Sequence, residues 1–248
     1  MRPFLLAVST LALASGSATP LLADGPAAAP AAVVALAPVP EGQLTDAVRP
    51  GAYRLDLTVD PAQERFSGRV EIDARLARAS RFIDLHGRGL AMHRAVARVG
   101  GREIVGTWHQ LDETGVARLT FAEALPAGPV TLAFDYDAPF GSGPSGLFRV
   151  KVGDEWYAWS QFESIDARAA FPGFDQPGFK VPVSLTLRTP PGLKAVGNAP
   201  EQGVSEEGGL AVHRFAPTLP LPTYLVAMMV GPFAAVESTV PANAHRPT

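Results

Sequence analysis

Cysteine is absent from all 248 residues, which excludes a disulfide framework and any thiolate-bearing metal site. A surplus of one charge is missing too: 21 Lys and Arg face 24 Asp and Glu, a net charge of −3. That balance leaves no electrostatic footprint for nucleic acid or for an anionic membrane. No segment carries a sustained helical stripe with caps, and no repeat recurs at a fixed period. The apolar run over residues 4–14 is too short to cross a bilayer, and nothing later reads as a transmembrane span. Of the histidines His86, His93, His109, His213 and His245, none are four apart, so a His-Glu-x-x-His helix is excluded. A zinc site would have to gather histidines and carboxylates from distant strands. The simpler expectation is that these histidines lie at the surface or at strand ends.

What is present is globular: 47% hydrophobic and 18% charged residues, enough for one large domain or two small ones. Residues 1–23 have the form of a secretory signal peptide. Arg2 supplies the positive start, the apolar run follows, and small residues offer cleavage after Ala18 or Ala23. Export to the periplasm or exterior is the expectation. Residues 24–50, rich in Ala and Pro, have little to pack and read as a disordered linker. A β domain is expected over residues 51–248, with order beginning near Tyr53.

From there the chain alternates with period two. Tyr53, Leu55, Leu57 and Val59 alternate with Arg54, Asp56, Thr58 and Asp60, the mark of a half-buried strand. Val70, Ile72, Ala74 and Leu76 repeat this, as do Val130, Leu132, Phe134 and Tyr136. Gly100-Gly101 predicts a hairpin tip, since paired glycines supply the positive φ of a primed turn. Further strands are expected over residues 181–187 and 224–230, with Pro182 marking an edge or a strand start. Many short strands punctuated by Gly and Pro predict an all-β fold, an antiparallel sandwich or saddle of sheets.

Two letter matches lack their context. Gly141-Ser142-Gly143-Pro144-Ser145-Gly146 spells G-x-G-x-x-G, but Pro144 sits inside it and a strand-like segment follows instead of a helix. It reads as a turn, and Ser145 lacks the flanks of a nucleophile elbow. Glu206 and Glu207, in a Gly-rich turn, read as solvated.

The segment over residues 156–180 holds the most information. It gathers Trp156, Tyr157 and Trp159, then Gln161-Phe162-Glu163, Asp166-Ala167-Arg168 and Phe171-Pro172-Gly173-Phe174-Asp175-Gln176-Pro177. It keeps neither strand nor helix period for long, so it predicts an ordered loop whose backbone leans on side chains. Binding residues often occupy such loops. By residue type alone, Gln161 and Glu163 read as members of a wet strand face, because charged side chains are seldom buried.

These motifs resemble the N-terminal domain of the aminopeptidase N family of zinc aminopeptidases. The family pattern there runs T-Q-F-E-x-x-D-A-R-x-x-F-P-C-F-D-E-P-x-F-K. Gly146-Leu147-Phe148-Arg149 upstream, Asn198, and Tyr224-Leu225-Val226-Ala227 leading to Val230-Gly231-Pro232-Phe233 downstream are similar to the same domain, as is Tyr53-Arg54-Leu55-Asp56-Leu57. The departures are Gly173 for the family's Cys and Gln176 for its second acid, the latter putting in doubt any ion pair made there. The resemblance implies a saddle-shaped, mostly antiparallel β domain that docks on a thermolysin-like catalytic domain. That domain carries the zinc and the motif Gly-x-Met-Glu-Asn. Neither occurs before Thr248, so the expectation is a fragment of a longer enzyme, inactive alone and holding no metal or catalytic residue of its own.

The resemblance further implies that Gln161 and Glu163 bind substrate, by capturing the free α-amino group of a peptide. A carboxylate accepts a charge-assisted hydrogen bond from that ammonium, and the Gln amide either accepts from the amine or donates to a carbonyl. Residues two apart on a strand share a face, so both can serve one cleft while Phe162 packs behind. Asp166 and Arg168 are expected to hold the loop, and Phe171, Phe174 and Phe179 to anchor the core. An exposed apolar patch is expected where the catalytic domain docks. Two other readings stand beside this one: a free-standing β-sandwich module that binds peptides or proteins, and a relative with another reaction such as epoxide hydrolysis.

Overall fold

The computed structural model describes residues 38–41, 43–234 and 236. The chain divides into a unit of Met1–Pro38 and a unit of Val39–Thr248, and the fold below is that of the second. The expected signal peptide, most of the Ala/Pro-rich stretch and His245 lie outside the described residues.

Fourteen strands succeed one another among the described residues: β1 (Val48–Thr58), β2 (Arg65–Leu76), β3 (Ser80–His86), β4 (Ala91–Val99), β5 (Arg102–Gln110), β6 (Val116–Leu125), β7 (Gly128–Pro139), β8 (Gly146–Val152), β9 (Glu155–Gln161), β10 (Val183–Thr189), β11 (Lys194–Gly197), β12 (Glu201–Glu207), β13 (Leu210–Phe215) and β14 (Met228–Gly231). Two 3-10 turns, Ala167–Ala169 and Thr223–Leu225, complete the inventory. Ten strands pair in the order β12-β13-β10-β1-β2-β7-β4-β5-β6-β3, and four in the order β11-β14-β9-β8. Every named pairing is antiparallel except β1 with β10. The predicted all-β, mostly antiparallel architecture is therefore what the chain adopts.

The long sheet changes course at β5. Residues 102–105 pair with β4, whereas residues 106–110 pair with β6. One strand thus serves two ladders. The preceding turn is Gly100-Gly101, both with positive φ (56° and 79°), as the paired glycines predicted.

Alternation sorts β1, β2 and β7 into a dry face and a wet face. Tyr53, Leu55, Leu57, Val70, Ile72, Leu76, Leu132, Phe134 and Tyr136 are buried together. The wet face is a lattice of arginines and carboxylates. Arg54 donates to both oxygens of Asp73, at 2.6 and 2.8 Å, and to Glu71 at 3.0 Å. Arg98 donates to Glu71 and to Glu103. Arg188 bridges Asp56 and Glu207 at 2.8 Å each, and Arg214 adds a second cation to Glu207. Exposed pairs contribute about 0–1 kcal/mol each. Their larger consequence is to leave this face wet, while the loop over residues 167–176 packs on the other one through Tyr53 and Tyr136.

β1 starts at Val48, and Leu44 is already buried, so order begins ahead of Tyr53. The Ala/Pro-rich composition concealed one backbone N–H with a distant partner: Leu44 N–H donates to the Gln176 side chain. The segment over residues 224–230 divides into a 3-10 turn and the short β14, because the Asn198 amide caps the chain between them through Leu225 O and Ala227 N. β10 lies between β13 and β1, so Pro182 marks a strand start and not an edge. The first residues of the aromatic-rich segment form β9, since its half-buried aromatics pair across to β8 and β14. His86 ends β3, one of the two places expected for these histidines, but is buried there, and His213 is buried inside β13; each is held by a hydrogen bond: His86 Nδ1 accepts from Asp175 N, and His213 Nδ1 meets Glu201 at 2.7 Å.

Candidate functional site

β9 ends at Gln161, and the chain leaves the sheet through a turn closed by Asp166 N–H donating to Phe162 O at 2.9 Å. Phe162 is fully buried and meets Phe171 edge-on, ring centroids 5.8 Å apart. Gln161 and Glu163, on either side of it, are exposed. The Glu163–Ser164 peptide bond is cis. Neither the Gln161 nor the Glu163 side chain hydrogen-bonds or ion-pairs with another described residue. Both polar groups stay available at the end of a strand whose next residue is fixed in the core.

The residues behind the turn are committed to one another. Asp166 receives Arg88 Nη2 on one carboxylate oxygen and Ser145 Oγ on the other, both at 2.5 Å. Partial burial alone would raise its pKa, but the Ser145 hydroxyl and the Arg88 guanidinium outweigh that and hold it below the usual carboxylate range. Arg168 is buried and donates through Nε to Asp175 Oδ2, through Nη2 to Asp175 O and through Nη1 to Thr114 O, each at 3.0 Å. The second oxygen of Asp175 accepts from Thr223 Oγ1 at 2.5 Å. Asp175 N–H donates to His86 Nδ1 at 3.1 Å, so His86 must keep that nitrogen unprotonated. Burial, reinforced by the Arg168 charge, pushes the His86 pKa down to about 3. Asp166 and Arg168 thus hold the loop, as expected, while His86, Ser145, Arg88 and Thr223 are supports that sequence reasoning missed. No local pattern signals them, because each partner is remote in the chain.

Two buried phenols anchor the same loop. Tyr136 Oη donates to Ala170 O at 2.6 Å, and Tyr53 Oη accepts from Phe174 N at 2.7 Å. Phe171 and Phe174 are core residues, and Phe179 packs against the core from a half-buried position, edge-on to Phe174. The two departures from the family pattern act in packing. A Cβ on Gly173 would lie 2.9 Å from Tyr53 Oη, so the glycine makes room for that phenol. Gln176 accepts from Leu44 N where the family has an acid.

The four-stranded sheet carries an apolar surface beside this turn. Phe148 faces Trp159 and Val150 faces Tyr157 across the β8–β9 ladder, while Phe233 packs on Tyr157 and Trp159 at 5.2 and 5.3 Å. With Val152, which is 62% exposed, they line a shallow concavity of about 500 Å³. Period-two alternation along β9 puts Gln161 on the same face as Tyr157 and Trp159.

Among the described residues no three His, Asp or Glu converge as a metal-ligand set. No described helix is long and apolar enough to cross a membrane.

The sequence profile described as Peptidase M1 N-terminal domain matches residues 49–225. Aminopeptidase M1-D of Oryza sativa subsp. japonica is 32% identical over 192 residues, covering 76% of this chain and 22% of the relative. Aminopeptidase N of Acetobacter pasteurianus is 30% identical over 231 residues, 88% of this chain and 63% of the relative. Aminopeptidase M1 of Arabidopsis thaliana is 30% identical over 197 residues, 76% and 22% respectively. The chain therefore spans about a fifth of the length of the plant aminopeptidases it matches, and it belongs to the Peptidase M1 N-terminal domain family.

Proposed function

We propose that this chain is the substrate-gating domain of an exported zinc aminopeptidase, one that removes N-terminal residues from peptides. The observation that carries the reading is the pair Gln161 and Glu163: exposed, unengaged, and set on either side of a buried phenylalanine in a turn fixed behind them. A free carboxylate on a rigid support suits capture of an α-ammonium, because little ordering remains to be done when the ligand arrives. Gln161 supplies the second polar contact. Zinc and the catalytic groups belong to a catalytic domain outside this chain. The apolar face of Phe148, Val150, Tyr157, Trp159 and Phe233 is where that domain docks. Its continuity with Gln161 supports this placement, since docking there closes a cleft over the two polar residues.

The test is kinetic. In the complete enzyme, Glu163→Ala removes a charge-assisted hydrogen bond of about 1.5–3 kcal/mol, a loss of roughly 10- to 100-fold in kcat/KM on amino-acid anilides. The loss is expected as a higher KM together with a lower kcat. Unchanged constants would take Glu163 out of the site. The coding sequence offers a quicker check: it should run past codon 248 into Gly-x-Met-Glu-Asn and His-Glu-x-x-His, and a stop codon there would leave a free-standing binding module.

A further inference from the structure

The Gly141–Gly146 segment, unfit as a nucleotide loop, has a different neighbour. Its Ser145 hydroxyl holds one oxygen of Asp166, and Arg88, from the turn between β3 and β4, holds the other. Two segments distant in sequence therefore grip both oxygens of one carboxylate. That carboxylate belongs to the residue whose N–H closes the turn onto Phe162 O, with Glu163 inside the turn. The same two segments reach the turn again through backbone. Gly146 pairs with Gln161 at the end of β9, and Arg88 N–H donates to Arg168 O at 2.7 Å. Arg88 and Asp166 are only partly exposed, at 34% and 22%. Asp166 has both oxygens engaged, whereas Glu163, three residues earlier, has neither engaged. The grip and the presented group are separate, as expected of a positioning device.

We propose that Ser145 and Arg88, acting through Asp166, are positioning residues that fix how Glu163 and Gln161 are presented to the amino end of a peptide. The inference rests on the substrate-gating reading above. It goes further in giving that turn two external supports.

The test is a double-mutant cycle in the complete enzyme, with kcat and KM measured on amino-acid anilides and Tm measured alongside. Ser145→Ala and Asp166→Asn should each raise KM by about three- to tenfold with a smaller change in kcat. Ser145→Thr, which keeps the hydroxyl, should restore KM. In a Gln161→Ala/Glu163→Ala background the same substitutions should change KM by under about twofold, because both groups they act through are already removed. Equal effects in both backgrounds, or losses that merely follow Tm, would reduce Ser145 and Asp166 to scaffold and overturn the inference alone. A silent Glu163→Ala would overturn the gating reading and this one together, so the two failures are distinguishable. Arg88→Lys offers a second variant of low folding risk: it keeps the charge, loses the guanidinium geometry and should raise KM in the same way.

Discussion

Arg168 and Asp175 form the most consequential pair in the loop, with side chains 6% and 3% exposed. Two desolvated charges contribute little net stability while matched, but removing one strands the other. Asp175→Asn should therefore cost about 3–5 kcal/mol, read as a lowered urea midpoint, and it also weakens the acceptor of Thr223. Arg168→Met should cost a similar amount, since it abandons Asp175 and Thr114 O together. His86 adds a pH dependence. Its folded pKa is near 3 against an ordinary value of 6.5, so between these values the unfolded chain binds a proton that the folded chain does not. Stability should be intact above pH 6.5 and fall as pH drops toward 3. His86→Gln removes this titration and should flatten the slope of stability against pH between 6.5 and 4.

Among the elements, β5 is the one whose course the alternation pattern did not foretell. The switch from β4 to β6 falls at Gly106, where a Cβ would stand 2.5 Å from Leu119 Cδ1 and 2.9 Å from Phe121 Cε1. Both neighbours are buried, so Gly106→Ala overpacks the bend and should cost about 1–3 kcal/mol in urea unfolding. By contrast β1, β2 and β7 were plain in the sequence, because each buries one face and wets the other. β8 read as strand-like, but β9 and β14 were harder. Their second face is neither buried nor polar, so period two is masked by aromatics on both sides of β9. The 3-10 turn at Thr223–Leu225 read as strand because Tyr224, Leu225 and Val226 are β-like by type, whereas the Asn198 amide and the Thr223–Asp175 bond decide the backbone there.

At the largest scale, the described residues present two unlike surfaces. One is the Arg–carboxylate lattice across the long sheet. Arg98, and next Arg54, hold Glu71 below the usual carboxylate range, and Arg188 with Arg214 does the same for Glu207. That stabilisation is present above the ordinary carboxylate pKa and lost as pH falls through the depressed values, leaving a cationic face in strong acid. The other surface is the apolar face of the four-stranded sheet. The isolated chain should bind an apolar-surface dye there, and Val152→Lys should abolish most of that fluorescence without moving Tm, because Val152 is exposed and carries little core packing. Dye binding unchanged by Val152→Lys would move the exposed surface elsewhere.

Local chemistry alone decided the all-β class, the positions of the one-face-wet strands, the glycine-glycine hairpin, and the motif run from Gln161 to Lys180 that marks the family. These are properties of neighbours two to twenty residues apart, where side-chain type and backbone freedom act directly. Tertiary structure alone decided the strand order, the divided pairing of β5 and the burial of His86. It also decided that Asp166 is gripped by Arg88 and Ser145 while Glu163 is left unengaged. Each of these depends on groups far apart in the chain whose partners exist only once the sheets have closed on the loop, and no pattern along one segment encodes which distant donor will reach it.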